Sequence, residues 1–318
     1  MSLRAGIIGC GGIANAHADG YKSNNIQVTA VTDICNEASA RLAEITGAKI
    51  FKDADSLIKS GIVDMVSICT PPVAHEEPAV LALQHGVNVL MEKPQAHILE
   101  AAQNIAESAA KSKALFMIAF RHRFLPAIIR MKEIIQAGEI GNVVFFQNIF
   151  CGPAFYMKDK WFSKKAISGG GCMLDTSSHS VDLFRFMVGE VTSQHGLMNK
   201  NLAGTDVEDA SIITLKAENG AIGSLIATWV AGVGTAEIIV MGDKGMIKYD
   251  YTKPEVINIR KTADKEFTTE PVKASNGFAE EIAHFVSAIE GKTQITCTAH
   301  DGVRCIEIIN AVYKENHV

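Results

Sequence analysis

Through residues 1–120, short apolar runs alternate with stretches whose apolar residues recur at helical spacing. Strands are expected at 4–9, 26–33, 49–51, 64–69, 87–91 and 115–119, and helices at 12–23, 36–46, 54–60, 75–86 and 97–112. Most of the strand segments are apolar at successive positions, as parallel strands covered on both faces are. Strand and helix in strict turn predict a doubly wound parallel sheet. The alternation stops near Phe120, and a domain boundary is placed there, giving domains 1–120 and 121–318.

The pattern then changes. A helix at 124–137 leads to a long strand, Asn142–Phe150, and a loop over 152–171. A helix from Asp175 to Met187 follows. Strands are expected in succession at 192–199, 208–217, 221–231, 234–241 and 245–250, with a weaker one at 255–260. Turn residues such as Glu218-Asn219-Gly220 separate them. Helices at 276–290 and 300–315 close the chain. This predicts an α+β domain on a large, mostly antiparallel sheet. Its helices can cover one face only. The other, with Phe145, Ile212, Ile226 and Trp229 as candidate members, is expected to join subunits into a homodimer or homotetramer.

Composition narrows the class. The 318 residues suffice for two domains with cores of their own. Apolar content of 47% and charged content of 20% describe a soluble globular chain. A net charge of −5 speaks against a general nucleic-acid footprint. No run reaches the ~18 apolar residues of a membrane helix. The first strand starts close to Met1, so no signal peptide is expected. The seven cysteines include no C-x-x-C pair, which suits free thiols in a reducing cytoplasm.

The most specific local pattern is the first strand running into Gly9-x-Gly11-Gly12-Ile13-Ala14. Gly9 permits a sharp turn off the strand. Gly11 lets main chain approach a pyrophosphate, and Ala14 lets the helix pack closely. The helix start offers N–H groups and a positive dipole to the phosphates. Asp33 ends the second strand about 20 residues on, where a ribose ligand belongs. Its carboxylate would repel a 2′-phosphate, and Ile34, Cys35 and Asn36 bring no cation, so NAD is expected rather than NADP. A turn or helix-cap aspartate is the other reading of Asp33.

Two further strands end in polar residues at the carboxyl edge, where such sheets bind ligands. One runs into Thr70-Pro71-Pro72 with His75 beyond; the other runs into Glu92-Lys93-Pro94. A third cluster is Gly169-Gly170-Gly171 followed by Asp175, His179 and Asp182, at i, i+4 and i+7 of a helix. Acid and imidazole on one face suit proton transfer near neutral pH. The same spacing also fits a helix cap with a core histidine. Zinc lacks cysteine ligands at the usual spacing, and no metal is expected.

Together these segments resemble the Gfo/Idh/MocA oxidoreductases, over nearly the whole chain. The resemblance implies a Rossmann domain followed by a substrate domain. It also implies oxidation of a secondary hydroxyl of a sugar or cyclitol by bound NAD. Lys93, Asp175 and His179 fall on the family's catalytic positions, with Glu92 and Thr70 near the nicotinamide ribose. Pro71, His75, Arg123 and Trp161 complete the candidate site, the last two toward substrate. Gln95 and Arg121-His122 depart from the family pattern. The lysines of Lys158–Lys165 would suit an anionic substrate or would simply be solvated. Two other function classes remain: a glycoside hydrolase that oxidises transiently with held NAD, and a non-catalytic nucleotide sensor.

Overall fold

The computed structural model describes residues 3–202 and 204–317, which form two compact units. The first takes the chain up to Arg121 together with Phe278–Arg304. Its elements are β1 (Arg4–Ile8), α1 (Gly12–Ser23), β2 (Gln27–Thr32), α2 (Asn36–Thr46), β3 (Lys49–Ile50), α3 (Ala54–Ile58), β4 (Met65–Ile68), α4 (Glu76–Gln84), β5 (Asn88–Met91), α5 (Leu99–Lys111) and β6 (Phe116–Ile118). The sheet is parallel throughout, in the order β3-β2-β1-β4-β5-β6. Ile7, Ile68, Leu90 and Ile118 have no exposed surface, because helices cover both faces. Register places Ile8, Ile68, Met91 and Ile118 level with one another. The Gly9 turn, the Thr70 loop and the Glu92-Lys93 turn therefore leave the sheet at one edge. The strand order reverses at β1, which makes that edge the switch point of the fold.

The second unit holds His122–Gly277 and the chain from Cys305 on. It contains α6 (Pro126–Gln136), β7 (Val143–Pro153), α7 (Lys165–Ser168), α8 (Cys172–Asp175), α9 (Ser177–Met187), β8 (Val191–Asn199), β9 (Ala210–Ala217), β10 (Ile222–Thr228), β11 (Val230–Gly242), β12 (Gly245–Asp250), β13 (Val256–Lys261) and β14 (Thr268–Pro271). The helices α10 (Phe278–Ile289) and α11 (Ala299–Glu315) end the chain. Eight strands run β14-β13-β12-β11-β7-β10-β9-β8, antiparallel except for the β7/β10 pair. α9 packs on the inner face, where Phe184 meets Phe146 edge-on at 5.5 Å. Gly223 makes room for it, since a Cβ there would lie 2.7 Å from the Phe184 ring.

Three expectations need correction. The second domain does not own the whole of 121–318. α10 packs on α1, where Gly20 leaves space that a Cβ would take from Ile282 at 2.6 Å, and Asn24 donates to the Ala279 carbonyl at 2.9 Å. Trp229 does not belong to the open sheet face: it is 4% exposed, in a cluster with Cys172, Val207 and Ala227. The strand over 221–231 stops at Thr228, and β14 appears where none was expected. Apolar residues line part of the outer face: register aligns Leu197, Ile212, Ile226 and Ile149 across four strands. Ile222, Phe145, Met241 and Met246 form a second row.

Candidate active site

In the first unit, the glycine turn has the geometry a dinucleotide requires. Gly9 has φ +89°, and a Cβ there would lie 2.7 Å from the main chain of Cys69. Gly11 and Gly12 face open space, and no side chain caps α1. Its first N–H groups are thus left for an anion. Ile13 is exposed and Ala14 fully buried. The Asp33 carboxylate is held from two sides, by the N–H of Cys10 at 2.5 Å and that of Cys35 at 2.7 Å. Each oxygen keeps acceptor capacity for ribose hydroxyls. Ile34 and Val73 stand exposed at this edge. These residues fit NAD.

The loop after β4 and the turn after β5 are joined by a buried histidine. His75 Nε2 lies 2.8 Å from the Thr70 carbonyl, and Nδ1 lies 3.1 Å from that of Pro94. The ring has no exposed surface, and burial holds its pKa below the ordinary value against the pull of those carbonyls. His75 therefore supports the edge from beneath; the expectation that it touches cofactor is corrected. Thr70 and Pro71 are half-buried, and Thr70 Oγ1 donates to the Ala74 carbonyl at 3.1 Å. Lys93 is half-buried at the end of a turn whose Lys93–Pro94 peptide is cis. Gln95 points inward, its amide nitrogen on the Ala102 carbonyl at 2.9 Å.

In the second unit, the glycine run is explained by Glu208. Its buried carboxylate accepts from Gly171 N–H at 3.0 Å, Met173 N–H at 2.9 Å and the Tyr313 hydroxyl at 2.8 Å. A Cβ on Gly171 would overlap the Glu208 carbonyl, and one on Gly170 would overlap the Tyr313 hydroxyl. Burial raises the Glu208 pKa, and these donors only partly offset it. The clamp fixes the start of α8, and Asp175 ends that helix. Thr176 joins α8 to α9, and the His179 N–H bonds back to Thr176 rather than Asp175. Trp229 donates to Thr176 Oγ1 at 3.3 Å. Glu208, Tyr313 and Trp229 were not singled out for this role; nothing in their spacing points to residue 171.

From Asp175 to Asp182, Asp175, Thr176 and His179 keep exposed surface, while the rest are buried. Asp175 closes α8 while His179 and Asp182 lie on α9, so the three do not share one helix as expected, and Asp182 is buried and taken by Arg123. Arg123 Nε donates to Asp182 Oδ2 at 2.8 Å, its second nitrogen takes Oδ1, and both residues are buried. Arg123 thus pins α9 and is largely buried, where exposure toward substrate was expected. His122, next to it, stacks flat on His179 with ring centroids 4.2 Å apart. Trp161 stacks on Phe162 in the 3₁₀ turns that follow β7, with Lys158, Lys160, Lys164 and Lys165 exposed around it.

Among the described residues, no group of three or more His, Cys, Asp or Glu could hold a metal, and no helix is long and apolar enough to cross a membrane. Comparison with known proteins agrees with this anatomy. Residues 3–120 match the family described as oxidoreductases with an NAD-binding Rossmann fold, and residues 128–248 match the GFO/IDH/MocA C-terminal domain. Inositol 2-dehydrogenase of Rhizobium meliloti is 25% identical, over 99% of this chain and 97% of its own. D-glucoside 3-dehydrogenase of Escherichia coli is 25% identical, over 98% and 95%. A levoglucosan dehydrogenase solved with NADH and levoglucosan superposes with a TM-score of 0.93 at 22% identity, covering 100% of this chain and 98% of that one.

Proposed function

Because the chain belongs to the GFO/IDH/MocA oxidoreductases and carries their NAD-binding Rossmann domain, we propose that it transfers a hydride between NAD(H) and a secondary hydroxyl of a sugar, cyclitol or sugar derivative. Relatives named for inositol, levoglucosan and glucosides support that substrate class. NAD supplies, when bound, a hydride acceptor at the nicotinamide. Gly9, Gly11, Gly12, Ile13 and Ala14 cradle its pyrophosphate, and Asp33 takes the ribose hydroxyls. Glu92 and Thr70 serve the nicotinamide half. His179 takes the hydroxyl proton, Asp175 supports the imidazolium, and Lys93 orients the oxygen and stabilises its developing charge. Trp161 contributes an aromatic face toward substrate.

The observation that carries this reading is the pair Asp175 and His179. With Thr176 they are the residues of 175–182 that keep exposed surface, in a segment clamped by Glu208 and Arg123. A non-catalytic sensor has no need of an acid and an imidazole exposed together there. The two apolar rows on the outer sheet face support a homodimer or homotetramer formed through that sheet, and seven cysteines with no disulfide among them support a cytoplasmic setting. The test is a screen of sugars, cyclitols and sugar acids with NAD, followed at the NADH absorbance. Net NADH with at least one of them is expected. Cleavage of a glycoside with no net NADH would replace this reading with the hydrolase.

A further inference from the structure

Beneath the Glu92-Lys93 turn runs a chain of buried polar side chains. Tyr21 Oη lies 2.8 Å from Ser67 Oγ, Ser67 Oγ lies 2.9 Å from His17 Nδ1, and His17 Nε2 lies 2.9 Å from Glu92 Oε1. The other carboxylate oxygen, Oε2, accepts the Lys93 N–H at 3.1 Å. Tyr21, Ser67 and His17 have no exposed surface, and Glu92 is 8% exposed. His17 and Tyr21 stand one turn apart on α1, which brings both to Ser67 on β4. An ionised carboxylate only accepts, so His17 Nε2 donates to Glu92 Oε1, and Ser67 joins His17 Nδ1 to the Tyr21 hydroxyl.

Such a chain is not needed for packing. Apolar residues of similar volume would fill this space without the desolvation that three buried polar groups and a carboxylate incur. Nor do His17, Ser67 or Tyr21 belong to the phosphate or ribose ligands. What the chain does is terminate on the residue before Lys93.

We infer that His17 is a positioning residue: bonded at both ring nitrogens, it fixes the Glu92 carboxylate, and through Glu92 Oε2 it fixes the main chain from which the Lys93 side chain departs. This rests on the reading of Lys93 and Glu92 as site residues. The charge state follows the same geometry. Burial pushes the Glu92 carboxyl up, but the His17 hydrogen bond and charge, with those of Lys93, outweigh it and hold the carboxyl below its ordinary value. The other titratable groups around Glu92 are Cys69 at the end of β4 and His75 just before α4. Glu281 on α10 acts on Cys69, and the Phe278 ring lies 5.7 Å from that of His17. Without His17, burial is left largely unopposed and Glu92 takes up a proton nearer neutrality.

The test compares His17→Leu with His17→Gln, whose amide can still donate toward Glu92. Carboxyl ¹³C resonances of glutamate-labelled, cofactor-free protein give the Glu92 titration directly, with Glu92→Gln providing the assignment. NADH fluorescence titrations and the pH profile of kcat on a working substrate give the consequences. In the Leu variant, the Glu92 midpoint should move from below to above the ordinary carboxylate value of about 4.3. Its kcat should fall about tenfold to a hundredfold, most steeply on the acid side. His17→Gln should restore much of both, and in a Glu92→Gln background His17→Leu should shift the pH profile no further. A Leu variant in which Glu92 titrates as in the wild type, or in which thermal stability alone falls, overturns the inference. Should the Leu variant not fold, His17→Asn, too short to span the gap, gives the same readout. If Lys93→Ala keeps its activity, the catalytic reading of Lys93 fails, while the Glu92 titration still decides the role of His17.

Discussion

Arg123 and Asp182 allow the sharpest separation of a structural residue from a substrate ligand. Their side chains are 6% and 1% exposed, joined by two parallel hydrogen bonds, and the Arg123 guanidinium also sits 5.0 Å from the Phe186 ring. Removing one partner leaves the other charged and buried, which costs about 3–5 kcal/mol. For a unit of this size each kcal/mol moves the midpoint by about 2–4 °C, so Asp182→Leu or Arg123→Met alone should lower Tm by about 6–20 °C. Replacing both removes the two charges together, and the double variant should recover a large part of the loss. Fluorescence reports this unit selectively, because both tryptophans, Trp161 and Trp229, lie in it. Substrate KM measured on the stable double variant completes the argument. If Arg123 only pins α9, KM should change by less than about threefold, since a rise in KM marks lost binding. Single and double losses that simply add, or a double variant that is stable yet barely binds substrate, would show that Arg123 does more than pin α9.

NAD(H) should bind more tightly than NADP(H) by calorimetry, and Asp33→Ser should narrow the gap by removing the carboxylate that repels a 2′-phosphate; equal affinities in the wild type would contradict this. Ile226→Lys, in the middle of an apolar row on the outer sheet face, should dissociate the oligomer in sedimentation velocity while NADH binding persists. A wild-type protein that sediments as a monomer would remove the premise. Asp64 is held below its ordinary pKa by its hydrogen bond to Arg4, against a smaller opposing effect of burial. Its contribution to stability is therefore complete above the unfolded value of about 3.9 and is lost as pH falls through the lower folded value. Asp64→Asn should flatten the acid limb of a Tm-against-pH curve and leave the neutral plateau lower.

Much of the first unit was legible because its sequence states its geometry locally. Apolar runs bounded by glycine and proline fix the strands, and Gly9, Gly11 and Ala14 each answer to one steric demand. The same edge also carried Thr70 and Lys93, since strand ends follow once the strands are placed. What could not be read were partnerships between distant residues. Asp182 has the right spacing for the Asp175 face, yet Arg123 takes it from 59 positions away. Glu208 holds Gly171 across 37 positions, and His17 reaches Glu92 across 75. Helical periodicity says which side of α9 or α1 a residue occupies but not which charge will meet it there. The move of α10 to the first unit was hidden for the same reason. Its amphipathic stripe predicts a covered face, and only Gly20 on α1, unremarkable in sequence, reveals the surface that covers it.

The pH–rate profiles of His179→Ala and Lys93→Ala, beside their NADH affinities, test most directly the proposed roles of Lys93 and His179 in moving the proton and stabilising the charge of the reacting hydroxyl. A positioned acid–base group contributes about 10²–10⁴-fold. Each variant should therefore lose kcat by that order on a substrate the wild type turns over, with NADH Kd nearly unchanged, and Asp175→Asn should lose less. Near-normal kcat for His179→Ala across the pH range would contradict the assignment and move the base elsewhere in the site.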